Sequence, residues 1–282
     1  MARKNFELKT NQQIILMREA GLATAAALKA VKAAIKPGIT TLELDKIAED
    51  TIISLGGHSN FKLVPGYSHT ICTSVNSEVV HGIPTPNRVL AAGDIVSIDC
   101  GAEIGEWNGD SAITVIVPGE TDSLVLARRQ KLSAATEGSL WAGIAALSKA
   151  KHLNQVGEAI QSYIVAQSKK DGISYGILEE YVGHGIGRSM HEDPPVYNYR
   201  VRGNGPKVTP GLVVAIEPMI TAGSPETKVL GDGWTVAAID GSDASHWEHS
   251  VAVHDKGIWV LTAEDGGLAG LAPFGVVPVA LD

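Results

Sequence analysis

Residues 95–117 read Ile-Val-Ser-Ile-Asp-Cys-Gly-Ala-Glu-Ile-Gly-Glu-Trp-Asn-Gly-Asp-Ser-Ala-Ile-Thr-Val-Ile-Val. Two β-type runs stand in this stretch, Ile95–Cys100 and Ser111–Val117, and Pro118-Gly119 closes the second. Each run has an aspartate in apolar surroundings, Asp99 in the first and Asp110 just before the second. A carboxylate buried in a strand must find a cation or a full set of donors, because desolvation otherwise costs about several kcal/mol. No Lys or Arg occurs anywhere from 94 to 117.

Upstream, the spacing predicts a helix over 11–36, with Leu28, Val31 and Ile35 on one face and Lys36-Pro37-Gly38 as its stop. A second helix opens with Thr40 and Glu43, spaced as a capping box, and carries Leu44, Ile47, Ala48, Ile52 and Leu55 up to Gly56-Gly57. A β-type run, Thr70–Val75, leads into the quoted stretch. Downstream the order recurs. Helices are predicted over 123–149 and 153–170, the latter with Val156, Ile160 and Ile164 in register. β-type runs follow around Tyr181–Val182, Val213–Ile216, Thr235–Ala238 and His249–Val253. Two halves, each built of two helices followed by strands, give an α+β fold with internal pseudo-symmetry. Residues 1–262 are read as one domain, and 263–282 as a Gly/Pro-rich apolar tail of no assigned order.

Composition narrows the class of protein. A chain of 282 residues with 44% hydrophobic content can bury a large core. Its net charge of −8 argues against coating nucleic acid with the whole surface. Arg128, Arg129 and Lys131, with Arg200, Arg202 and Lys207, still offer local positive charge. Two cysteines, Cys72 and Cys100, are too few for a disulfide framework. The polar N-terminal stretch has no apolar signal region, and the alanine-rich stretch 21–35 carries Lys29 and Lys32, so neither reads as a membrane element. The expectation is a soluble, cytoplasmic monomer.

Three further ionisable residues sit as Asp99 and Asp110 do: His184 in Val-Gly-His-Gly-Ile-Gly, Glu217 in Val-Ala-Ile-Glu-Pro-Met and Glu248 in His-Trp-Glu-His-Ser-Val. The segment 208–227 also lacks Lys and Arg. Any one of these acids alone could be a turn former or half of an ion pair. Four carboxylates need positive charge, and two divalent metals with His184 as a neutral ligand would bring the site near electroneutrality. Oxygen-rich ligands with a single imidazole suit Mn²⁺, Fe²⁺, Co²⁺ or Zn²⁺.

These residues lie within an ordered set of motifs: His-Gly-Ile-Pro at 81–84, Ile-Asp-Cys-Gly at 98–101, Gly-Asp at 109–110, Gly-His-Gly-Ile-Gly at 183–187, Met-His-Glu at 190–192, Ile-Glu-Pro at 216–218 and Trp-Glu-His at 247–249. Over roughly 5–262 the chain resembles the type I methionine aminopeptidases of the pita-bread metallopeptidase fold. That resemblance implies a pseudo-two-fold, curved antiparallel sheet covered by helices. It implies metal ligation by Asp99, Asp110, His184, Glu217 and Glu248, with Asp110 and Glu248 shared between two ions. It implies attack of metal-activated water on the scissile carbonyl, with Glu217 as proton acceptor, His191 beside the carbonyl and His81 beside the amide nitrogen. The methionine pocket would involve Tyr67, Cys72, Met190 and Trp234, with Phe61 and Val64 at its rim.

The stretch Phe61–Ser68 and Met190 depart from the commoner form of the family, so this pocket is expected to have its own shape. His246 and His249 match no functional position and are read as structural. Prolidases share a similar metal set, and a related binding module without catalysis is the alternative from another class. The intact ligands and both histidines favour the enzyme. Nascent chains with a small second residue are the expected substrates, and a transient electrostatic contact with the ribosome is the expected partner. The chain begins Met1-Ala2, so the protein is expected to process itself in trans.

Overall fold

A computed structural model describes residues 6–281. Four helices carry the architecture. α1 (Asn11–Ala34) is capped by Thr10 and Gln13, and α2 (Thr41–Ser54) by the Thr40–Glu43 box, each with the side chain and backbone bonds reciprocated. α3 (Ser123–Leu147) is capped by Asp122, and α4 (Asn154–Asp171) ends on Gly172 in the left-handed region at φ 68°.

In the first half β1 (Ile71–Val75) and β3 (Trp107–Ile116) flank β2 (Ile95–Ile104), all antiparallel. Val96, Ile98, Cys100 and Ala102 of β2 pack with Ala27, Leu28 and Val31 of α1 and Leu44, Ala48 and Ile52 of α2. Every second residue therefore faces the helices, and Asp99 faces the other way.

The second half repeats the scheme. It contains β4 (Gly183–Gly185), β5 (Glu192–Val196), β6 (Val213–Ile216), β7 (Met219–Thr221), β8 (Ala244–His246), β9 (His249–His254) and β10 (Gly257–Val260). The order β10-β9-β6-β4-β5 forms one sheet, and β7 pairs with β8 beside it. Val214, Ile216, Val251 and Val253 pack under Leu140, Ile144 and Leu147 of α3 and Val156 and Ile160 of α4. The two helix-covered antiparallel halves match the α+β pseudo-symmetry expected from the sequence pattern and the curved-sheet fold that the resemblance implies.

The halves are joined along a seam. Glu248 N donates to Ala112 O at 2.9 Å, and Ala112 N donates to Glu248 O at 3.3 Å. Helix α1 crosses to the other half through Arg18, whose guanidinium donates to the carbonyls of Val260, Leu261, Ala263 and Glu264 at 2.7–3.0 Å. Helix and strand approach so closely that a Cβ on Gly109 would lie 2.6 Å from Gly21 N.

Two expectations change. The β-type run placed at Tyr181–Val182 is irregular, and the strand begins at Gly183. A Cβ at Gly183 would meet Ala215 O at 2.4 Å, so only glycine permits this pairing. Residues 263–281, read as a tail of no assigned order, are held in place. α5 (Leu268–Leu271) buries Leu271 with the second core, Val279 N donates to Ile258 O at 2.9 Å, and Leu281 packs beside Ile14, Met17 and Trp107.

Candidate metal centre

Strand register gathers the ionisable residues. Cys72 of β1 stands opposite Asp99 of β2, and Asp99 stands opposite Ala112 of β3. Across the seam Ala112 pairs with Glu248. His249 is opposite Ile216, and Met219 is opposite His246. The same register carried through the break sets Glu248 opposite Glu217. Residues directly opposite one another share a face. One row thus runs Cys72, Asp99, Ala112, Glu248, Glu217 on the face turned away from the helices.

Other residues join the row from the sides. Asp110 lies two residues from Ala112 and shares its face. Gly185 is opposite Val214, which sets His184 beside Ala215 and diagonal to Glu217. The small Ala112 leaves the middle of the row open.

The electrostatics are one-sided. Burial raises Asp99 to about 7, with Glu217 adding to the effect. Burial raises Glu217 to about 8. Asp110 and Glu248 are pushed well above the carboxylate range by burial and by their neighbouring acids. Among the described residues lining the cavity there is no Lys or Arg. Asp99 Oδ1, Asp110 Oδ1, Glu248 Oε1 and His246 Nε2 are buried with no hydrogen-bond partner. Three orphaned carboxylate oxygens so close together fit cations. Ligating atoms of Asp110, His184 and Glu248 lie within 4.8 Å of one another, as do those of Glu217, His246 and Glu248.

His184 is set up as a nitrogen ligand. Its Nδ1 lies 2.9 Å from Gly185 O, so that nitrogen carries the proton and Nε2 keeps its lone pair. Nε2 sits 3.5 Å from Glu217 Oε1 and 4.0 Å from Asp110 Oδ2. Burial holds this histidine neutral, at about 3.

Two histidines flank the acids. His191 meets the His184 ring edge-on at 4.3 Å, and burial lowers its pKa. Glu192 beside it is fixed by the buried Lys9, whose Nζ lies 2.5 Å from Glu192 Oε2. His81 has φ 61°, a left-handed backbone that a branched or bulky residue adopts only under constraint, and its ring rests edge-on against Tyr181 at 5.5 Å. Burial lowers His81 to about 4, so it is neutral near pH 7.

A cavity of roughly 180 Å³ opens over the acids. Its apolar end is formed by Phe61, Val64, Tyr67, Cys72, Met190 and Trp234. The Tyr67 hydroxyl donates to Ile71 O at 2.7 Å, which locks the ring 5.1 Å from that of Trp234. All the residues singled out in the sequence for metal, acid–base and pocket roles face this one cavity. His246 is an addition. It was read as structural, yet its orphaned Nε2 lies 3.5 Å from Glu217 Oε2. Pairing of His246 with Met219, which sets it diagonal to Glu217, is what brings it to the site.

Comparison with known proteins agrees with this geometry. The model of metallopeptidase family M24 matches residues 15–255. The chain is 48% identical to methionine aminopeptidase 1 of Mycobacterium tuberculosis over 87% of this chain and 91% of that one. It is 42% identical to methionine aminopeptidase 1 of Bacillus subtilis, over 90% and 98% respectively. The crystal structure of methionine aminopeptidase from Thermotoga maritima superposes with a TM-score of 0.85 at 36% identity, covering 92% of this chain and 100% of that one.

Proposed function

The chain belongs to metallopeptidase family M24, and we infer from that premise that it removes N-terminal methionine from polypeptides by metal-dependent hydrolysis. The observation that carries the reading is the cluster of buried and half-buried carboxylates with no Lys or Arg among them, beside an apolar pocket of aromatic and sulfur side chains.

Asp99 would complete the ligands of one divalent ion, His184 and Glu217 those of a second, and Asp110 and Glu248 would serve both. When bound, such ions (Mn²⁺, Fe²⁺, Co²⁺ or Zn²⁺) supply a water of lowered pKa and polarise the scissile carbonyl. Glu217 is placed to take the proton of the attacking water and return it toward the leaving amine. His191 can donate to the carbonyl oxygen as charge develops there, and neutral His81 can hold the amide nitrogen. Tyr67, Cys72, Met190 and Trp234 form a soft, polarizable wall suited to a thioether, with Phe61 and Val64 at its edge.

The bound peptide's second residue would lie close to the ions, which favours small side chains there. The substrates we propose are the N-termini of nascent chains, met in the cytoplasm by a monomer that touches the ribosome transiently. The catalytic unit runs through residue 262, with the tail strapped to it. No helix among the described residues is long and apolar enough to cross a membrane.

The test is hydrolysis of Met-Ala-Ser, Leu-Ala-Ser and Ala-Pro-Ser by protein stripped with EDTA and then reloaded with Mn²⁺ or Co²⁺. Release of methionine from the first peptide, restored by metal, is expected. Cleavage restricted to the proline peptide, or full activity of the stripped protein, would overturn the assignment.

A further inference from the structure

Glu217 stands between two imidazoles. Its Oε1 lies 3.5 Å from His184 Nε2, and its Oε2 lies 3.5 Å from His246 Nε2. The two histidines differ in how they are held. His184 commits Nδ1–H to Gly185 O, the arrangement that frees its Nε2 to bind an ion. Among the described residues no such bond fixes a ring nitrogen of His246, and its Nε2 is buried without a partner. Its backbone, in contrast, is pinned on both sides. His246 N donates to Ser97 Oγ and to Thr114 Oγ1, each at 3.1 Å, and Thr114 Oγ1 donates to His246 O at 2.8 Å. Pairing with Met219 sets it diagonal to Glu217 across the strand pair. The residue is 2% exposed, so solvent cannot satisfy its ring.

We propose that His246 is a positioning residue that donates Nε2–H to Glu217 Oε2, steering Glu217 Oε1 to the His184 side and fixing the plane of the carboxylate. The assignment rests on the metal-dependent reading and deepens it. A carboxylate oxygen can only accept, and the ring nitrogen nearest Oε2 is that of His246. Glu217 is also held from behind, since Asn198 Nδ2 donates to its backbone carbonyl at 3.0 Å. The backbone bond sets where the residue sits, and His246 sets how its carboxylate turns. Groups that orient metal ligands in this way typically change affinity or activity by roughly 10–100-fold when removed.

The experiment compares His246→Gln with His246→Ala. The amide of glutamine keeps a donor but not an imidazole. Each variant, and the wild type, is stripped of metal and titrated calorimetrically with Mn²⁺; the Co²⁺ absorption spectrum and kcat and KM are then recorded. His246→Ala is expected to lose about 10–100-fold in Mn²⁺ affinity and to lower kcat with KM little changed. His246→Gln is expected to stay within about threefold of wild type in both, with the Co²⁺ bands unmoved. Co²⁺ bands altered alike in both variants, with glutamine as weak as alanine, would make His246 a direct ligand and overturn the proposal. An alanine variant indistinguishable from wild type would overturn it too. A wild type that takes up no metal would instead bring down the metal-dependent reading itself.

Discussion

Removing the metal should make the stability of this protein depend on pH in an unusual direction. Burial lifts Asp99 from the ordinary 3.8 to about 7 and Glu217 from 4.5 to about 8. Without ions, the folded protein therefore holds protons that the unfolded chain releases near pH 4. Stability falls with pH wherever the folded state binds more protons. The contribution is present in full below about pH 4 and is lost as pH rises through 7 and 8. Each tenfold change in proton affinity is worth about 1.4 kcal/mol, so ionising this pair weakens folding by several kcal/mol, a large part of an ordinary domain's margin.

Below about pH 6.5 the buried neutral His81 and His184, held at about 4 and about 3, gain stability as pH rises and oppose this trend. The fall in midpoint therefore shows between about pH 6.5 and pH 8.5, on the order of 5–10 °C for a chain of this size. Ions reverse the trend. They replace the protons, and at about a hundredfold excess over Kd they add roughly 2.7 kcal/mol. The assay is thermal unfolding of EDTA-stripped and Mn²⁺-loaded protein across that range, with proton release counted by calorimetry in buffers of different ionisation enthalpy. A flat midpoint for the stripped protein, together with metal uptake that releases no protons, would refute the electrostatic account of the site.

Other substitutions probe separate parts of the site. Ala112→Val adds two methyl groups in the middle of the carboxylate row and should reduce metal affinity about 100-fold or more, while the midpoint in EDTA moves by no more than about 1–3 kcal/mol of overpacking; elemental analysis and unfolding check this. His191→Ala should lower kcat by roughly 10²–10³ while bound metal, measured by the same analysis, stays at the wild-type level. Gly109→Ala would drive a Cβ into the α1 backbone at Gly21 N, 2.6 Å away, and should cost about 2–4 kcal/mol in denaturant unfolding.

What could be read from the chain alone divides by range. The helices were legible because capping and periodicity are local: Thr40 and Glu43 announce α2, and the box is formed as predicted. The candidate ligands stood out because carboxylates in apolar runs conflict with their surroundings, and the ordered motifs carry the family resemblance. Strands such as Gly183–Gly185 and Glu192–Val196 were not, since glycine and proline hide the period and their pairing is set by partners distant in sequence. The tail was unreadable for the same reason, as the sites that receive Leu271 and Leu281 lie in α3 and α1. His246 was passed over because nothing local shows that register 219–246 aims it at Glu217.

The placement of the acids at a seam explains why the backbones beside them are held by neutral groups. The first half supplies Asp99 and Asp110, the second His184, Glu217 and Glu248, so neither half has a complete ligand set. Bringing the halves together sets like charges against each other, and an ion pair at the joint would compete with the metals for the carboxylates. The contacts beside Asp110 and Glu248 avoid charge, and the charged crossings, such as Arg18 on the carbonyls of Val260 and Leu261, stand away from the acids. Ser111 Oγ donates to Glu248 O at 2.6 Å across 137 residues of chain, Asp110 N donates to Ser250 Oγ at 3.1 Å, and Ser250 Oγ donates to Asp110 O at 2.8 Å. These bonds fix the backbones of Asp110 and Glu248 and leave Asp110 Oδ1 and Glu248 Oε1 unpaired. The hydroxyls thus do the joining, and the carboxylates are kept for the ions. A site arranged this way binds metal and closes the two halves by the same interactions, which is why metal affinity and folding stability should rise and fall together in this protein.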